Sequence, residues 1–161
     1  MDLTARVASP LGELVLAGRG EALTGLWFRG QAHFGEGLDP DHRPGSLPVL
    51  EAGAAWLERY FRGLDPGPPP PLAPRGTAYQ QAVWALLLEI PRGETRTYGA
   101  LARLLGQRQG RPTSPRALAG AVARNPISIL IPCHRVVGAA GLTGYAGGLD
   151  RKQFLLSLER F

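Results

Sequence analysis

The sequence predicts a mixed α/β protein of the α+β kind, in which a small β/α lobe precedes a mostly helical lobe. Three short apolar runs separated by turn residues fill the first part of the chain, and such runs are typical of strands. A proline-rich stretch at 64–74 follows, and consecutive prolines favour stiff, extended backbone. Beyond it the pattern changes to capped helical segments. We therefore expect two domains, at residues 1–75 and 76–161.

The first lobe is predicted to contain three strands, a loop and one helix. The strands cover residues 3–8, 13–17 and 23–28. Residues 29–46 are rich in Gly, Pro, Asp and His, which is typical of a loop. His33 and His42 lie in this loop without a metal-ligand pattern, so both are expected at the surface. Apolar residues at helical spacing predict an amphipathic helix over residues 48–62.

Two helices are predicted at the start of the second lobe. Thr77 can cap a helix that reaches about residue 89, and Thr97 can cap another over residues 98–105. A polar linker, residues 106–113, is expected to follow.

A third helix has the clearest start in the sequence. Ser114 supplies an N-cap and Pro115 the first helical position, and the helix is expected over residues 116–124. With the preceding helix it can form a helix-turn-helix. Its interior is mostly Ala and Gly, which leaves two interpretations open. The helix either approaches a flat partner closely, with Arg116 reaching past it, or packs tightly within the core.

Composition limits the class of protein. The formal net charge of +5 and the pI of about 10.1 permit a nucleic-acid partner without naming one. No segment approaches the ~20 apolar residues of a membrane span, and the N-terminus lacks the apolar core of a secretory leader. A single cysteine excludes an internal disulfide and a Cys-based zinc cluster, and it suits a reducing cytosol. We therefore expect a cytoplasmic protein.

The only cysteine, Cys133, follows an apolar run at 127–131 that is predicted to be a buried strand ended by Pro132. A strand that delivers a thiol to the surface at a tight break favours a nucleophile, although an isolated cysteine can also be a small core residue. His134 is adjacent and could serve as the base, acting through a water. Glu159, in the last helix, could orient that base, although the sequence does not place the two together.

Several motifs occur together in a distinctive order. They are Pro132-Cys133-His134-Arg135-Val136, Tyr79-Gln80-Gln81-Ala82-Val83-Trp84, Ile90-Pro91-Arg92-Gly93-Glu94-Thr95, Tyr98-Gly99-Ala100-Leu101-Ala102, Arg116-Ala117-Leu118, Asn125-Pro126 and Gly144-Tyr145-Ala146-Gly147-Gly148. In this order they resemble the O6-alkylguanine-DNA alkyltransferase family of single-turnover DNA repair proteins, over residues 77–160. Residues 1–75 fit the family's variable RNase H-like lobe only in general shape.

The resemblance implies direct reversal of DNA damage. Cys133 would accept the alkyl group of an O6-alkylguanine flipped out of duplex DNA, with O4-alkylthymine as a further candidate substrate. His134 would take the thiol proton through a water, and Glu159 would orient His134. Asn125 would hold the loop or the active-site network, and Tyr98 would donate a proton to guanine N3 and crowd the target phosphate. No cofactor or metal is implied, and a monomer is expected.

The resemblance also assigns the DNA surface and the base pocket. Arg116 would enter the base stack from the minor groove and fill the space of the flipped nucleotide. The other residues expected at the DNA are Tyr98, Ala117, Gly120, Ala121 and Arg124. The pocket would be lined by Pro132, Val136, Tyr145, Ala146 and Gly147, and the Val136 carbonyl would accept a hydrogen bond from the base.

Three features depart from the common family pattern. Ala146 stands where a serine often hydrogen-bonds O6, so a backbone N–H would serve instead. The linker 106–113 is longer than in compact relatives, and Arg108 and Arg111 could add DNA contacts or the linker could simply be flexible. The zinc ligands that some relatives carry in the first lobe have no cysteines to supply them here.

Three other functions remain to be separated from repair. An alkyltransferase-like protein binds alkylated DNA without repairing it, but such relatives replace the cysteine. A plain helix-turn-helix regulator needs no thiol. A cysteine hydrolase would use the same Cys–His pair and leave the Arg116 helix without a role.

Overall fold

The computed structural model describes residues 1–141 and 144–160, and it confirms the mixed α/β fold class. The described chain forms two compact units. Unit 1 comprises Met1–Arg75 and Pro126–Leu130, and unit 2 comprises Gly76–Asn125 and the chain from Ile131 onward. None of the helices in the described ranges has the length and apolar character needed to cross a membrane.

Unit 1 is a four-stranded sheet with one helix. Its elements are β1 Leu3–Val7, β2 Leu14–Arg19, β3 Ala22–Phe28, β4 Arg43–Pro44 and α1 Pro48–Phe61. The strand order is β3-β2-β1-β4, with β1, β2 and β3 antiparallel and β4 parallel to β1. The prediction of an uninterrupted loop over 29–46 is therefore wrong at β4. That strand is too short for a periodic signal, and its proline is tolerated because β4 lies at the sheet edge.

The core of unit 1 lies between the sheet and α1. Strands β2 and β3 are buried along almost their whole length. A Cβ atom added at Gly53 of α1 would lie 2.9 Å from Cδ2 of Leu16, so glycine is what allows the helix to approach the sheet this closely. The proline-rich stretch is extended beside β3, since the Leu23 N–H donates to the Pro71 carbonyl at 2.8 Å.

The apolar run at 127–131 is not a strand, contrary to the prediction. It forms one isolated bridge, between Ile127 and Leu26 of β3. The chain then turns at Ile129, which has a φ of 71°, and the Leu130 N–H donates to the Ser128 carbonyl at 2.8 Å. The run is buried throughout, and an apolar run of this length does not by itself distinguish a strand from an irregular core segment.

Unit 2 is mostly helical, with one short parallel strand pair. Its elements are α2 Ala78–Leu87, β5 Arg96–Thr97, α3 Tyr98–Gln109, α4 Pro115–Ala123, a 3-10 turn Cys133–Arg135, β6 Val136–Val137 and α5 Leu149–Glu159. The three predicted N-caps are present. The hydroxyl oxygens of Thr77, Thr97 and Ser114 accept hydrogen bonds from the third backbone N–H beyond them, at 3.1, 3.1 and 3.0 Å.

Helix α3 runs four residues further than predicted, because Gly106 does not end it. It continues to Gln109 and ends at Gly110, which is left-handed with a φ of 73°. A glycine inside a helix costs only about 1 kcal/mol and does not require a break. The predicted linker is therefore half helical, and Arg108 forms a two-point salt bridge with Glu89, with N–O distances of 2.6 and 2.9 Å.

Helix α4 packs against both α2 and α3. Trp84 of α2 is buried and its Nε1–H donates to the Ala121 carbonyl at 2.9 Å. This bond satisfies a carbonyl near the end of α4 and fixes that end immediately before Asn125, the first residue of the site.

Candidate active site

Two consecutive turns hold the only cysteine. Pro132 has φ −81° and ψ 65°, the values of an inverse γ-turn, and the Cys133 N–H donates to the Ile131 carbonyl at 2.8 Å. The 3-10 turn Cys133–Arg135 follows, and it leads into β6, which pairs with β5. The backbone around the thiol is therefore fixed on both sides.

The thiol of Cys133 is buried, with the residue 5% exposed, so the expectation of a thiol at the surface is wrong. Burial raises its pKa, because a thiolate is poorly solvated there, while Asn125, Lys152 and Tyr145 act in the opposite direction. Asn125 also donates from Nδ2 to the Ile131 carbonyl at 2.7 Å. The sulfur therefore needs its neighbours in order to ionise.

His134 and Glu159 meet behind the thiol. His134 Nε2 lies 2.6 Å from Glu159 Oε2, and both side chains are almost fully buried, at 0% and 1% exposed. The bond to a carboxylate assigns the proton of a neutral imidazole to Nε2 and leaves Nδ1 as an acceptor. Nδ1 is buried and has no hydrogen-bond partner within 1–141 and 144–160. It is the basic atom that the arrangement leaves available.

Burial also sets the charge of the pair. It lowers the pKa of His134, Glu159 opposes this, and the charges of Arg135 and Lys152 reinforce it. Burial would raise the pKa of Glu159, but hydrogen bonds and charges from His134 and Arg135 prevail and lower it to about 2. The result at neutral pH is an ionised carboxylate beside a neutral imidazole.

Arg135 and Lys152 are two residues of the site for which no role was predicted. Arg135 contacts Glu159 at both carboxylate oxygens, with Nε–Oε1 at 2.8 Å and Nη2–Oε2 at 3.1 Å. Lys152 is fully buried, and its Nζ donates to the carbonyls of Val136, at 2.5 Å, and Gly144, at 3.0 Å. Burial lowers the pKa of Lys152 to about 8, and the charge of Cys133 opposes this.

One signal in the sequence could have indicated Lys152. It is the only lysine of the chain, and it lies two helical turns before Glu159, on the same face of α5. A lone lysine at that spacing from a proposed catalytic carboxylate predicts a charge in the same site.

Tyr98 and Tyr145 are the two predicted tyrosines that interact with the thiol of Cys133. Tyr98, the first residue of α3, lies close to Gly144, since a Cβ built there would be 3.7 Å from its Oη. Burial raises the pKa of Tyr98, and the charge of Cys133 adds to this, so the phenol keeps its proton. Among the residues predicted to line the base pocket, Pro132, Val136 and Gly147 are buried. Tyr145 and Ala146 are partly exposed.

Helix α4 has an exposed face and a buried face, so packing in the core and approach to a partner each fit one side of the helix. The residues exposed on it or at its C-cap include Arg116, Ala117, Gly120 and Arg124. A Cβ added at Gly120 would meet no atom within 4 Å, so this face offers close approach to a partner. Ala121 is 4% exposed and faces the core, and its contact with DNA stays a prediction. Its place on α4 is explained by the Trp84 hydrogen bond.

No group of three or more His, Cys, Asp or Glu side chains in the described parts of the chain is placed to hold a metal ion. In unit 1, His33 Nδ1 pairs with Glu36 Oε2 at 3.2 Å, and His42 Nδ1 lies 2.7 Å from the Asp39 carbonyl. Both histidines are exposed, as expected.

Comparisons with known proteins identify the family. Residues 78–161 match the model of the 6-O-methylguanine DNA methyltransferase DNA-binding domain. The methylated-DNA–protein-cysteine methyltransferase of Haemophilus influenzae is 44% identical over 155 residues, which cover 94% of this chain and 83% of that protein. The protein of the same name from Methanosarcina acetivorans is 45% identical over 153 residues, covering 94% of each chain.

Solved structures agree. Mycobacterium tuberculosis OGT in complex with DNA has a TM-score of 0.81 and 40% identity, covering 99% of this chain and 92% of that chain. The resemblance and the enzyme class expected from the sequence are thereby confirmed. The chain belongs to the 6-O-methylguanine DNA methyltransferase family.

Proposed function

We propose that this protein repairs duplex DNA by moving the alkyl group of O6-alkylguanine to Cys133, once per molecule. The observation that carries the proposal is the buried hydrogen bond of 2.6 Å between His134 and Glu159, directly beside the only cysteine. A single thiol without a second acceptor suits a reaction that consumes the protein.

The transfer breaks one bond and forms one. The sulfur attacks the alkyl carbon, an S–C bond forms, and the bond from that carbon to O6 breaks with its electrons going to the base. The thiol proton passes to Nδ1 of His134 through a water, and the Nε2–H bond to Glu159 stabilises the imidazolium that results. This route is supported by the buried Nδ1, which has no partner among the described residues.

The leaving guanine needs a proton as its negative charge develops. We assign this proton to the Tyr98 hydroxyl, donated to N3, because the pKa of Tyr98 is raised and the phenol is protonated at neutral pH. The products are S-alkylcysteine and unmodified guanine. With Ala146 in place of a hydroxyl residue, a backbone N–H would bind O6.

Binding to duplex DNA is assigned to the exposed face of α4. Arg116 stands at the start of this helix, where it can enter the base stack while the small side chains of Ala117 and Gly120 let the backbone approach the groove. The M. tuberculosis relative has been solved in complex with DNA, which supports this partner. The flipped base would lie against Tyr145 and Gly147.

We propose further that residues 76–161 carry both DNA binding and alkyl transfer, and that residues 1–75 form a separate domain. A reduced, reactive thiol supports a cytosolic location. The protein is proposed to act as a monomer, which sedimentation of the free protein and of its DNA complex would test.

Transfer is tested with a duplex that carries labelled O6-methylguanine. The expected result is label on the protein at up to one equivalent, located on Cys133 by mass spectrometry. Cys133→Ser is expected to bind the duplex and accept no label. Stoichiometric transfer in that variant, or catalytic loss of the lesion with Cys133 unmodified, contradicts the proposal. A parallel duplex with O4-methylthymine tests the second substrate.

Nucleotide flipping is tested through Arg116. Arg116→Ala is expected to slow transfer from duplex DNA at least tenfold, on the order of the 1–3 kcal/mol that unstacking a base requires. Its reaction with the free modified base is expected to stay near that of the unmodified protein. The control is Arg62→Ala, at the exposed end of α1. Equal loss on duplex and free base would remove Arg116 from this role.

A further inference from the structure

Arg135 uses every nitrogen of its guanidinium within unit 2. Nε and Nη2 donate to the two oxygens of Glu159, at 2.8 and 3.1 Å, and Nη1 donates to the Ile90 carbonyl at 2.7 Å. Its side chain is 14% exposed, so these bonds are largely shielded from water. The Ile90 carbonyl anchors the guanidinium just after α2. The two bonds from Nε and Nη2 to Glu159, called the fork below, then fix the plane of the carboxylate.

We propose that Arg135 is a positioning residue for alkyl transfer, which holds Glu159 ionised and in one orientation so that His134 remains a neutral base. This inference rests on the function proposed above, and it gives a reason for the arginine beside the Cys–His pair. Arg135 acts through Glu159 and does not touch the reacting atoms.

The contacts of Glu159 show how Arg135 holds its carboxylate in one orientation. Glu159 Oε2 accepts from both His134 Nε2 and Arg135 Nη2, while Oε1 accepts from Arg135 Nε. Without Arg135 the carboxylate loses one contact at each oxygen, so it can rotate more freely about its last side-chain bond and carry the His134 ring with it. Nδ1 would then lose its fixed direction.

Charge leads to the same conclusion. The charged groups that act on His134 are Glu159 and Lys152 from α5 and Arg135 from its own turn. From α3 the titratable neighbour is Tyr98, which faces Cys133, and after α2 the contact is the uncharged carbonyl of Ile90. Arg135 therefore offsets Glu159 locally. Removing the guanidinium leaves the carboxylate uncompensated, which favours protonation of His134.

Protonation of His134 is expected to slow the transfer. A base must be neutral to accept the thiol proton, so transfer slows as the pH falls through the pKa of His134. Burial, supported by Arg135, places that pKa below its usual range. In Arg135→Gln the pKa of His134 is expected to rise by about one unit, as for the loss of one close cation.

The first experiment observes His134 directly by NMR titration of the imidazole nitrogens in the full-length protein. His33 and His42, both exposed in unit 1, serve as internal references. The His134 signal in Arg135→Gln is expected to titrate about one pH unit higher than in the unmodified protein. The control Arg29→Gln, which breaks the exposed Arg29–Glu13 pair, is expected to leave His134 unmoved.

The second experiment measures single-turnover transfer from the O6-methylguanine duplex as a function of pH. Arg135→Gln is expected to transfer roughly tenfold more slowly near neutral pH, with its acidic limb displaced upward to match the NMR shift. Arg135→Lys retains the charge without the fork. The acidic limb of its pH–rate profile is therefore expected to move less than half as far as that of Arg135→Gln, while its maximal transfer rate still falls.

Two results would overturn the proposal. One is a His134 titration that is unchanged in folded Arg135→Gln. The other is a loss of rate with the acidic limb in its original place, which indicates an arginine that only stabilises the fold. If the unmodified protein accepts no label, the repair function fails, and the NMR titration still decides the role of Arg135.

Discussion

Cys133 is a weak nucleophile on its own, because burial raises the pKa of its thiol. A thiolate is the reactive form, so the site has to supply a base and a positive field. The proposed base is the neutral His134, and the charge of the buried Lys152 contributes to the positive field, since it lowers the pKa of the thiol. Reactivity is therefore a property of the arrangement, and a substitution outside the Cys–His pair can remove it.

Lys152 provides a test of this view at the scale of one residue. Lys152→Met is expected to lower the free energy of unfolding by about 2 kcal/mol, because the Val136 and Gly144 carbonyls lose a charged donor. Transfer to Cys133 is expected to slow as well, since the same bonds hold the pocket wall. Urea denaturation and the single-turnover assay measure the two effects.

The matched control is Arg160→Met, which also replaces a cation by methionine at the end of α5 but at an exposed position. Its unfolding free energy is expected to stay within about 0.5 kcal/mol of the unmodified protein. If Lys152→Met were as stable and as active as this control, the lysine would have no part in the site.

Single-residue chemistry could be predicted only in part. The sequence singles out Cys133 and His134, because a lone thiol beside an imidazole is a local pattern. The contact of His134 with Glu159 spans 25 positions and depends on how α5 packs, so it came from resemblance rather than from spacing. The contacts of Arg135 with Glu159 and Ile90 are visible only in the folded chain, whereas the spacing of Lys152 from Glu159 could have indicated a charge in the site.

At the scale of the element, the start of α4 is the feature that the sequence defines best. Ser114 accepts the Ala117 N–H at 3.0 Å. Ser114→Ala is expected to cost about 1 kcal/mol of stability. If α4 binds the groove as proposed, fraying of its first turn also displaces Arg116, so duplex affinity is expected to fall severalfold. Denaturation and fluorescence anisotropy with a labelled duplex measure the two quantities.

The control is the corresponding cap of α2. Thr77 accepts the Gln80 N–H at 3.1 Å, and Thr77→Ala is expected to cost a similar ~1 kcal/mol without changing duplex affinity. Equal losses of affinity in both variants would mean that α4 has no special contact with DNA.

The starts of α2, α3 and α4 in unit 2 were predictable and the end of α3 was not, for a physical reason. An N-cap needs one hydroxyl and a backbone N–H three residues away, so Thr77, Thr97 and Ser114 are visible in the sequence. The extension of α3 beyond Gly106 and the irregular path of residues 127–131 depend on distant partners. A glycine inside a helical pattern is compatible with a helix that ends or one that continues, and a short apolar run is compatible with a strand or an irregular core segment.

On the scale of the whole molecule, the long segment Met1–Arg75 of unit 1 is closed by a contact between its two ends. Asp2 is fully buried, and its two carboxylate oxygens each lie 2.7 Å from a nitrogen of Arg75, 73 positions away. Thr24 Oγ1 and the Asp39 N–H also donate to this carboxylate, at 3.2 and 3.1 Å. No local pattern in the sequence indicates the pair, because its members lie at opposite ends of the segment Met1–Arg75.

This contact predicts an acid-dependent stability. The hydrogen bond from Arg75 lowers the pKa of Asp2 to about 2, against the opposing effect of burial and with help from Asp39, from the charge of Arg75 and from Thr24. A carboxyl whose folded pKa lies below its unfolded value of 3.8 stabilises the fold above pH 3.8. That contribution is lost as the pH falls toward 2.

Asp2→Asn is therefore expected to unfold about 2 kcal/mol more easily at pH 7, as for the loss of hydrogen bonds to a charged group. The difference from the unmodified protein is expected to shrink below about pH 4, since protonation makes the two side chains alike. Urea denaturation across this pH range measures it, with the exposed Asp41→Asn as the control. A difference that stayed constant with pH would show that packing, and not the ionised pair, is what Asp2 contributes to the closure of unit 1.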